Sequence, residues 1–217
     1  MALMVALISP EHAKFPPHPR IKLGVMASGS GSNFEAIAQS IQDGHLNAEV
    51  QVVIYNNPGA KVVDRANRFD VPAVLLNHRE FASREDLDRA IVETLKQHSV
   101  EWVIMAGWMR IVTPVLIEAF RDRILNIHPS LLPSFKGNRA VEQALEAGVK
   151  ITGCTVHLVV PEVDSGEIII QAAVPVLVDD TVEILQGRIH EQEHRIYPSA
   201  IAIAAIHATT DDNGHQS

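Results

Sequence analysis

The stretch IKLGVMASGSGSNF, residues 21–34, decides the fold. Residues 21–27 form an apolar run that reads as a first, buried strand, and Ser28-Gly29-Ser30-Gly31-Ser32 reads as the turn after it. From Asn33 onward Phe34, Ile37, Ala38 and Ile41 recur at helical spacing, with Gly44 as a stop signal. Working outward, residues 50–55, 73–76 and 102–106 are three more strand candidates. Between the last two, Ser83 with Asp86 three residues on resembles a capping box. It opens a helix that places Leu87, Ala90, Ile91 and Leu95 on one face. Strand and helix alternate in this way to about residue 126, which predicts a mostly parallel sheet with helices on both faces: an α/β fold.

The last third changes character. Residues 151–160 and 167–176 are long strands joined only by Pro161-Glu162-Val163-Asp164-Ser165-Gly166. So short a link cannot hold a crossover helix, which predicts an antiparallel pair. A helix from about Thr181 buries Leu185, Ile189 and Ile196, and residues 209–217 read as a frayed polar tail. At the other end, residues 1–20 read as an extension and linker. The apolar start of 1–8 has no preceding Lys or Arg and no small-residue cleavage site, and Phe15-Pro16-Pro17-His18-Pro19 favours an extended chain. One domain, 21–208, is expected between them.

Composition sets the outer bounds. The 217 residues are 47% hydrophobic and 20% charged, ordinary for a globular protein. A net charge of -8 lacks the basic footprint of a nucleic-acid binder. No apolar stretch approaches the ~18–20 residues that span a bilayer. Cys154 is the only cysteine, so no internal disulfide forms, and a cytoplasmic location is expected.

Two segments carry chemistry. Gly29 and Gly31 stand between strand and helix, where backbone N–H groups and the helix dipole attract an anion. The dinucleotide fingerprint fails, because Phe34 replaces its third glycine and Asn56-Asn57 stand where an acid would hold a ribose. The Walker pattern fails too, for want of a lysine. Gly31, Ser32 and Asn33 are therefore expected to cradle a single phosphate monoester. The second segment is Asn126-Ile127-His128-Pro129-Ser130-Leu131-Leu132-Pro133. A short strand over 123–127 enters it, so Asn126 and His128 project onto one face. Pro129 and Pro133 keep the rest of the segment extended, at the strand end where open α/β sheets place their sites. An amide donor beside an imidazole suits acyl transfer with a stabilised oxyanion.

Read together and in order, Ser28–Asn33, Met109-Arg110-Ile111, Asn126-x-His128-Pro-Ser-Leu-Leu-Pro133, His157, Asp164-Ser165-Gly166 and Gln192-Glu193-His194 near Tyr197-Pro198 resemble one family. It is the folate-dependent formyltransferases, in particular the glycinamide ribonucleotide transformylases, and the likeness runs from about Lys22 to Ala204. The resemblance implies a Rossmann-like formyltransferase fold and a catalytic trio of Asn126, His128 and Asp164. It implies that Gly31, Ser32, Asn33 and Glu193 meet the ribonucleotide. It implies that Arg84, Met109, Arg110, Ile111, Val112, Asn126, Val160, Val163 and Asp164 meet the folate. The implied reaction moves the formyl group of 10-formyltetrahydrofolate to the amine of N1-(5-phosphoribosyl)glycinamide in purine biosynthesis. The folate is then a co-substrate, and no tightly bound cofactor, metal, nucleic acid or membrane takes part; the enzyme is a monomer or homodimer. One departure is Ser134-Phe135-Lys136-Gly137-Asn138-Arg139, where some relatives carry Pro-Gly and extra histidines.

Rival readings share parts of this pattern. Methionyl-tRNA formyltransferase calls for an RNA-binding domain and a basic surface. Formyltetrahydrofolate hydrolase calls for a regulatory domain before the first strand, which twenty residues do not supply. A phosphosugar-binding module leaves the trio without purpose. His190-Glu191-Gln192-Glu193-His194 also matches the zinc-protease pattern H-E-x-x-H. However, Ile189 and Ile196 mark the buried stripe, from which both histidines stand roughly 100–140° away while Glu193 lies within about 40°. The inward acid is thus Glu193, and a metal site is not expected. His12, His18, His45, His78 and His98 read as surface residues, and His157 as a satisfied core histidine.

Overall fold

The structure, a computed structural model, describes residues 7–10 and 18–214, with residues 209–214 followed by their backbone alone. The readings of residues 1–6, of His12, of Phe15-Pro16-Pro17 and of 215–217 lie outside the described residues. Among the described residues eight strands form one sheet in the order β1-β8-β7-β6-β5-β2-β3-β4. They are β1 (Leu7–Ser9), β2 (Ile21–Ala27), β3 (Ala48–Tyr55), β4 (Ala73–Leu75), β5 (Trp102–Met105), β6 (Ile124–His128), β7 (Ile151–Leu158) and β8 (Ile168–Pro175). The β4-β3-β2-β5-β6 side is parallel throughout. β7 runs antiparallel to β6 and β8, and β1 antiparallel to β8 at the edge.

Alternation along the strands explains the two cores. Ile21, Leu23 and Val25 of β2 turn to one face, packed with Phe34 and Ile37 of α1 (Ser32–Gln42) and Leu185, Ile189 and Tyr197 of the last helix. Met26, Val103 and Met105 turn to the other, under Leu87, Ile91 and Leu95 of the helix Arg84–Gln97. The Ser83 hydroxyl caps that helix, accepting from the Asp86 N–H at 3.1 Å, where the sequence puts a capping residue.

Among the described residues five elements escape the sequence reading: β1, the short 3-10 helix His78–Glu80 and the helices Val62–Arg68, Pro114–Ala119 and Ala140–Glu146. Each spans seven residues or fewer, too short for a hydrophobic period to register. In order along the chain the α-helices are α1, α2 (Val62–Arg68), α3 (Arg84–Gln97), α4 (Pro114–Ala119), α5 (Ala140–Glu146) and α6 (Val182–Gly214). α6 passes straight through Pro198 and continues beyond residue 209, where the sequence reads a tail. An interior proline costs ~3 kcal/mol. Ile196, Tyr197, Ala200, Ile201 and Ile203 around it are all buried, and several such side chains outweigh that cost. The Tyr197 hydroxyl lies 3.1 Å from the carbonyls of both Met105 and Leu125, fixing α6 against the ends of β5 and β6. One turn earlier on the same side stands Glu193.

Candidate active site

β6 delivers Asn126 and His128 to one face, and the antiparallel register of β7 sets His157 opposite Asn126. The link between β7 and β8 folds Asp164 over this pair with its backbone in the left-handed region, φ 48°. Its carboxylate meets three side chains and one backbone N–H, that of Gly137. Oδ2 is 3.3 Å from His128 Nδ1, while Oδ1 is 3.5 Å from His157 Nε2 and accepts from Asn126 Nδ2 at 3.5 Å. His157 Nε2 also lies 3.2 Å from Asn126 Nδ2. The histidine read as a core residue is buried, as expected, and also adjoins Asn126 and Asp164, a placement set by the β6–β7 register, which is invisible in the linear sequence.

The electrostatics follow from these contacts. Burial by itself raises the Asp164 carboxyl. The His157 contact, the Gly137 N–H and the charges of His128 and His157 together bring it below its ordinary value. The His128 ring lies between two acceptors, since Nε2 is 2.8 Å from the Phe135 carbonyl and Nδ1 faces Asp164. Only a ring carrying both protons donates to both.

Phe135 and Gly137 belong to the segment 134–139. It caps the trio: Phe135 covers Nε2 of His128, and the Gly137 N–H donates to Asp164 Oδ2 at 2.8 Å. Phe135, Gly137 and Arg139 all have positive φ, at 54°, 78° and 60°. Backbone contacts of this kind leave no side-chain signature, which is why the pattern of residues does not reveal them.

Beside the trio opens a crevice of about 600 Å³, within the usual range for a small-molecule site. Arg84, Met109, Arg110, Ile111, Val112, Asn126, Val160, Val163 and Asp164 all line it, together with Trp108, Arg139 and Gln186. Met109 and Ile111 expose 78% and 57% of their surface, enough apolar area for a flat ring system to cover. The crevice is tied to the glycine turn, because the Met109 N–H donates to Ser28 Oγ at 2.9 Å and the Ser28 N–H to the Gly107 carbonyl at 3.0 Å.

The glycine turn itself lies outside that lining. Gly31 sits at the head of α1 with φ 73°, and no side chain caps the helix, so its first N–H groups stay open to an anion. A Cβ at Gly31 would come within 2.5 Å of Val62 Cγ2 and 2.9 Å of Val62 Cα. Glycine is therefore required first by packing against α2, beyond the approach of a ligand. Arg65 of α2 braces the turn, donating to the Ser30 carbonyl at 2.7 Å and pairing with Glu35. Asn33 Nδ2 donates to Glu193 Oε2 at 2.9 Å, joining α1 to α6. Burial raises the Glu193 carboxyl, against the lowering pull of Asn33, His190 and His128.

The H-E-x-x-H residues disperse around this point. Glu193 turns in, as the helical arithmetic places it, and His190 leans toward it with Nε2 3.7 Å from Oε2. The His190 and His194 rings stack 6.4 Å apart at 13°. Among the described residues no three His, Cys, Asp or Glu side chains are arranged to hold a metal ion.

Residues 21–201 match the formyl transferase family. The chain is 42% identical over 180 residues to the phosphoribosylglycinamide formyltransferase of Bacillus subtilis, covering 83% of this chain and 92% of that one. It is 44% identical over 186 residues to the trifunctional purine biosynthetic protein adenosine-3 of Gallus gallus, of whose length it spans 18%. Among solved structures it resembles glycinamide ribonucleotide transformylase 1 from Symbiobacterium toebii. That structure has a TM-score of 0.85 and 48% identity, and the match covers 91% of this chain and 92% of that one. The phosphoribosylglycinamide formyltransferase of Bacillus halodurans follows at a TM-score of 0.81 and 44% identity, covering 83% and 93%. With its fold, its crevice and these likenesses in agreement, the chain belongs to the formyl transferase family, among the phosphoribosylglycinamide formyltransferases.

Proposed function

We propose that this chain transfers the formyl group of 10-formyltetrahydrofolate to the amine of N1-(5-phosphoribosyl)glycinamide, by direct attack. The observation that carries the reading is the convergence of Asn126, His128 and Asp164 at the inner end of the crevice. The amine nitrogen bonds to the formyl carbon, and the carbonyl electrons move onto oxygen. Asn126 and His128 donate hydrogen bonds to that oxyanion, which displaces the Phe135 carbonyl from Nε2. The intermediate then collapses, breaking the bond from carbon to the folate nitrogen. The amine's proton passes to that nitrogen through water held near Asp164, whose carboxylate lies 3.3 Å from His128 Nδ1 and orients its ring.

The pterin is assigned to the crevice between residues 109–112 and 160–164, and the phosphate to the N–H groups at Gly31, Ser32 and Asn33. Glu193 accepts from the ribonucleotide sugar. The open head of α1 supports the phosphate assignment. On this reading the enzyme works in the cytoplasm on two small molecules, as a monomer or homodimer, without a tightly bound cofactor. Among the described residues no helix is long and apolar enough to cross a membrane.

Folate deformylation followed by absorbance, with and without glycinamide ribonucleotide, tests the proposal. Turnover is expected only with the ribonucleotide present. Deformylation in its absence means a hydrolase, and no turnover in either case leaves a phosphosugar-binding module.

A further inference from the structure

The segment 134–139 is anchored at both ends. The Ser130 hydroxyl donates to the Ser134 carbonyl at 2.6 Å, and Gln143 Nε2 to the Asn138 carbonyl at 2.8 Å. Between these anchors Lys136 reaches across to the link that carries Asp164. Its Nζ donates to Ser165 Oγ at 2.6 Å, and Ser165 Oγ donates in turn to the Val163 carbonyl at 2.9 Å. Glu162 stands 3.9 Å from the same ammonium, but its side chain is 80% exposed, so solvent screens that pair. Two neighbours thus grip two neighbours, Lys136 holding Ser165 while Gly137 holds Asp164.

The grip has something to hold. Asp164 adopts φ 48°, a left-handed conformation that a residue with a side chain keeps only where its surroundings hold it there. We propose that Lys136 is a positioning residue that locks the 163–165 turn so that the Asp164 carboxylate stays against His128 and His157. Lys136 touches neither reacting group and acts through Asp164. Phe135, by contrast, adjoins the Ser134 anchor, so release of Lys136 frees the Asp164 turn and leaves the His128 cap in place.

The inference rests on the proposed role of Asp164, and its test separates the two. Turnover of formyl folate with glycinamide ribonucleotide is measured against pH for the native chain, Lys136→Met, Lys136→Arg, Asp164→Asn and the Lys136→Met/Asp164→Asn pair. A misplacement of about 1 Å can cost up to ~10²-fold in rate, so Lys136→Met is expected to lose roughly tenfold in kcat. KM for the ribonucleotide, bound at the far glycine turn, stays within twofold (about 1–2 times native). The acid limb moves to higher pH, because a carboxylate drawn from its donors returns toward its ordinary value. Lys136→Arg restores rate and profile, and Lys136→Met has no further effect in the Asp164→Asn background. If Asp164→Asn is impaired while Lys136→Met matches the native enzyme, Lys136 has no positioning role. The same conclusion holds if Lys136→Met loses its full tenfold on top of Asp164→Asn. If Asp164→Asn itself is fully active, the reading of the trio falls, and with it this one.

Discussion

The two halves of the site are built by different means. The glycine cradle rests on secondary structure: the head of α1, packed on Val62 of α2 and tied through Asn33 to Glu193 of α6. The transfer crevice borrows Asn126 and His128 from a strand but completes them with two irregular links, 134–139 and 160–166. Regular elements fix positions through many small contacts, whereas links fix them through a few hydrogen bonds that a ligand can exchange. Changes in the crevice should therefore reach turnover with the fold intact. Changes in the cradle should reach ribonucleotide binding and stability together.

The largest effect tests the crevice. Asn126→Ala and His128→Ala each remove a proposed donor to the oxyanion, and such losses typically cost ~10²–10³ in turnover. Melting temperatures should stay within a few degrees of native, since neither residue is a core hydrophobe. Single-turnover rates measured beside thermal melts check this. A variant that melts far below the native chain would show that this half, too, is built by packing.

Next comes Gly31→Val, in the cradle. Its side chain strikes Val62 and holds a backbone at φ 73° that valine disfavours, so a loss of about 2–4 kcal/mol in stability is expected. Ribonucleotide affinity should fall with it, while folate affinity, set in the crevice, stays within a few-fold. Separate calorimetric titrations of the two ligands decide the matter. Folate binding that collapses while ribonucleotide binding survives would mean the two ligands are exchanged.

Legibility in the sequence divides along the same line. The strand–turn–helix start, the Asn-x-His face of β6 and the inward turn of Glu193 are legible, because each depends on periodicity within one element. The contacts of Phe135 and Gly137 are not, because they are made by backbone atoms across a link. Val62 as the reason for Gly31 is equally hidden, since α2 is too short to announce itself and its partner lies about thirty residues away. His157 is visible as a residue, but its place beside Asn126 depends on a register between strands.

Asp164→Asn is a smaller and more diagnostic change in the crevice. The carboxyl lies below its ordinary value, so its contribution to stability is full above that ordinary value and is lost as pH falls through the lower folded one. Asparagine keeps the shape and removes the charge between His128 and His157. Turnover should fall about tenfold near neutrality, because the His128 ring loses the charged partner that orients it. The acid limb that Asp164 supplies should vanish from the kcat profile. A profile that keeps its acid limb would mean that Asp164 serves only to shape the turn.

The smallest effect belongs to Glu193→Gln, and it has the opposite sign. Burial among α1 and α6 raises the native carboxyl, so charge there is disfavoured in the folded chain. A raised group gives its full stability when protonated, below the unfolded value, and loses it as pH rises through the folded value. Glutamine stays neutral throughout and can still accept from Asn33, so the variant should be more stable than native at pH 8 by about 1–2 kcal/mol. That corresponds to a melting point higher by roughly 2–8 °C for a chain of this size, with the gap closing at pH 4. Ribonucleotide binding should weaken meanwhile, because an amide presents one acceptor oxygen where a carboxylate presents two. Melting curves at the two pH values, beside a ribonucleotide titration, measure both sides of the exchange. A variant less stable at both pH values would show that the Glu193 charge is a structural partner of Asn33, and that the cradle gives up no stability for its ligand.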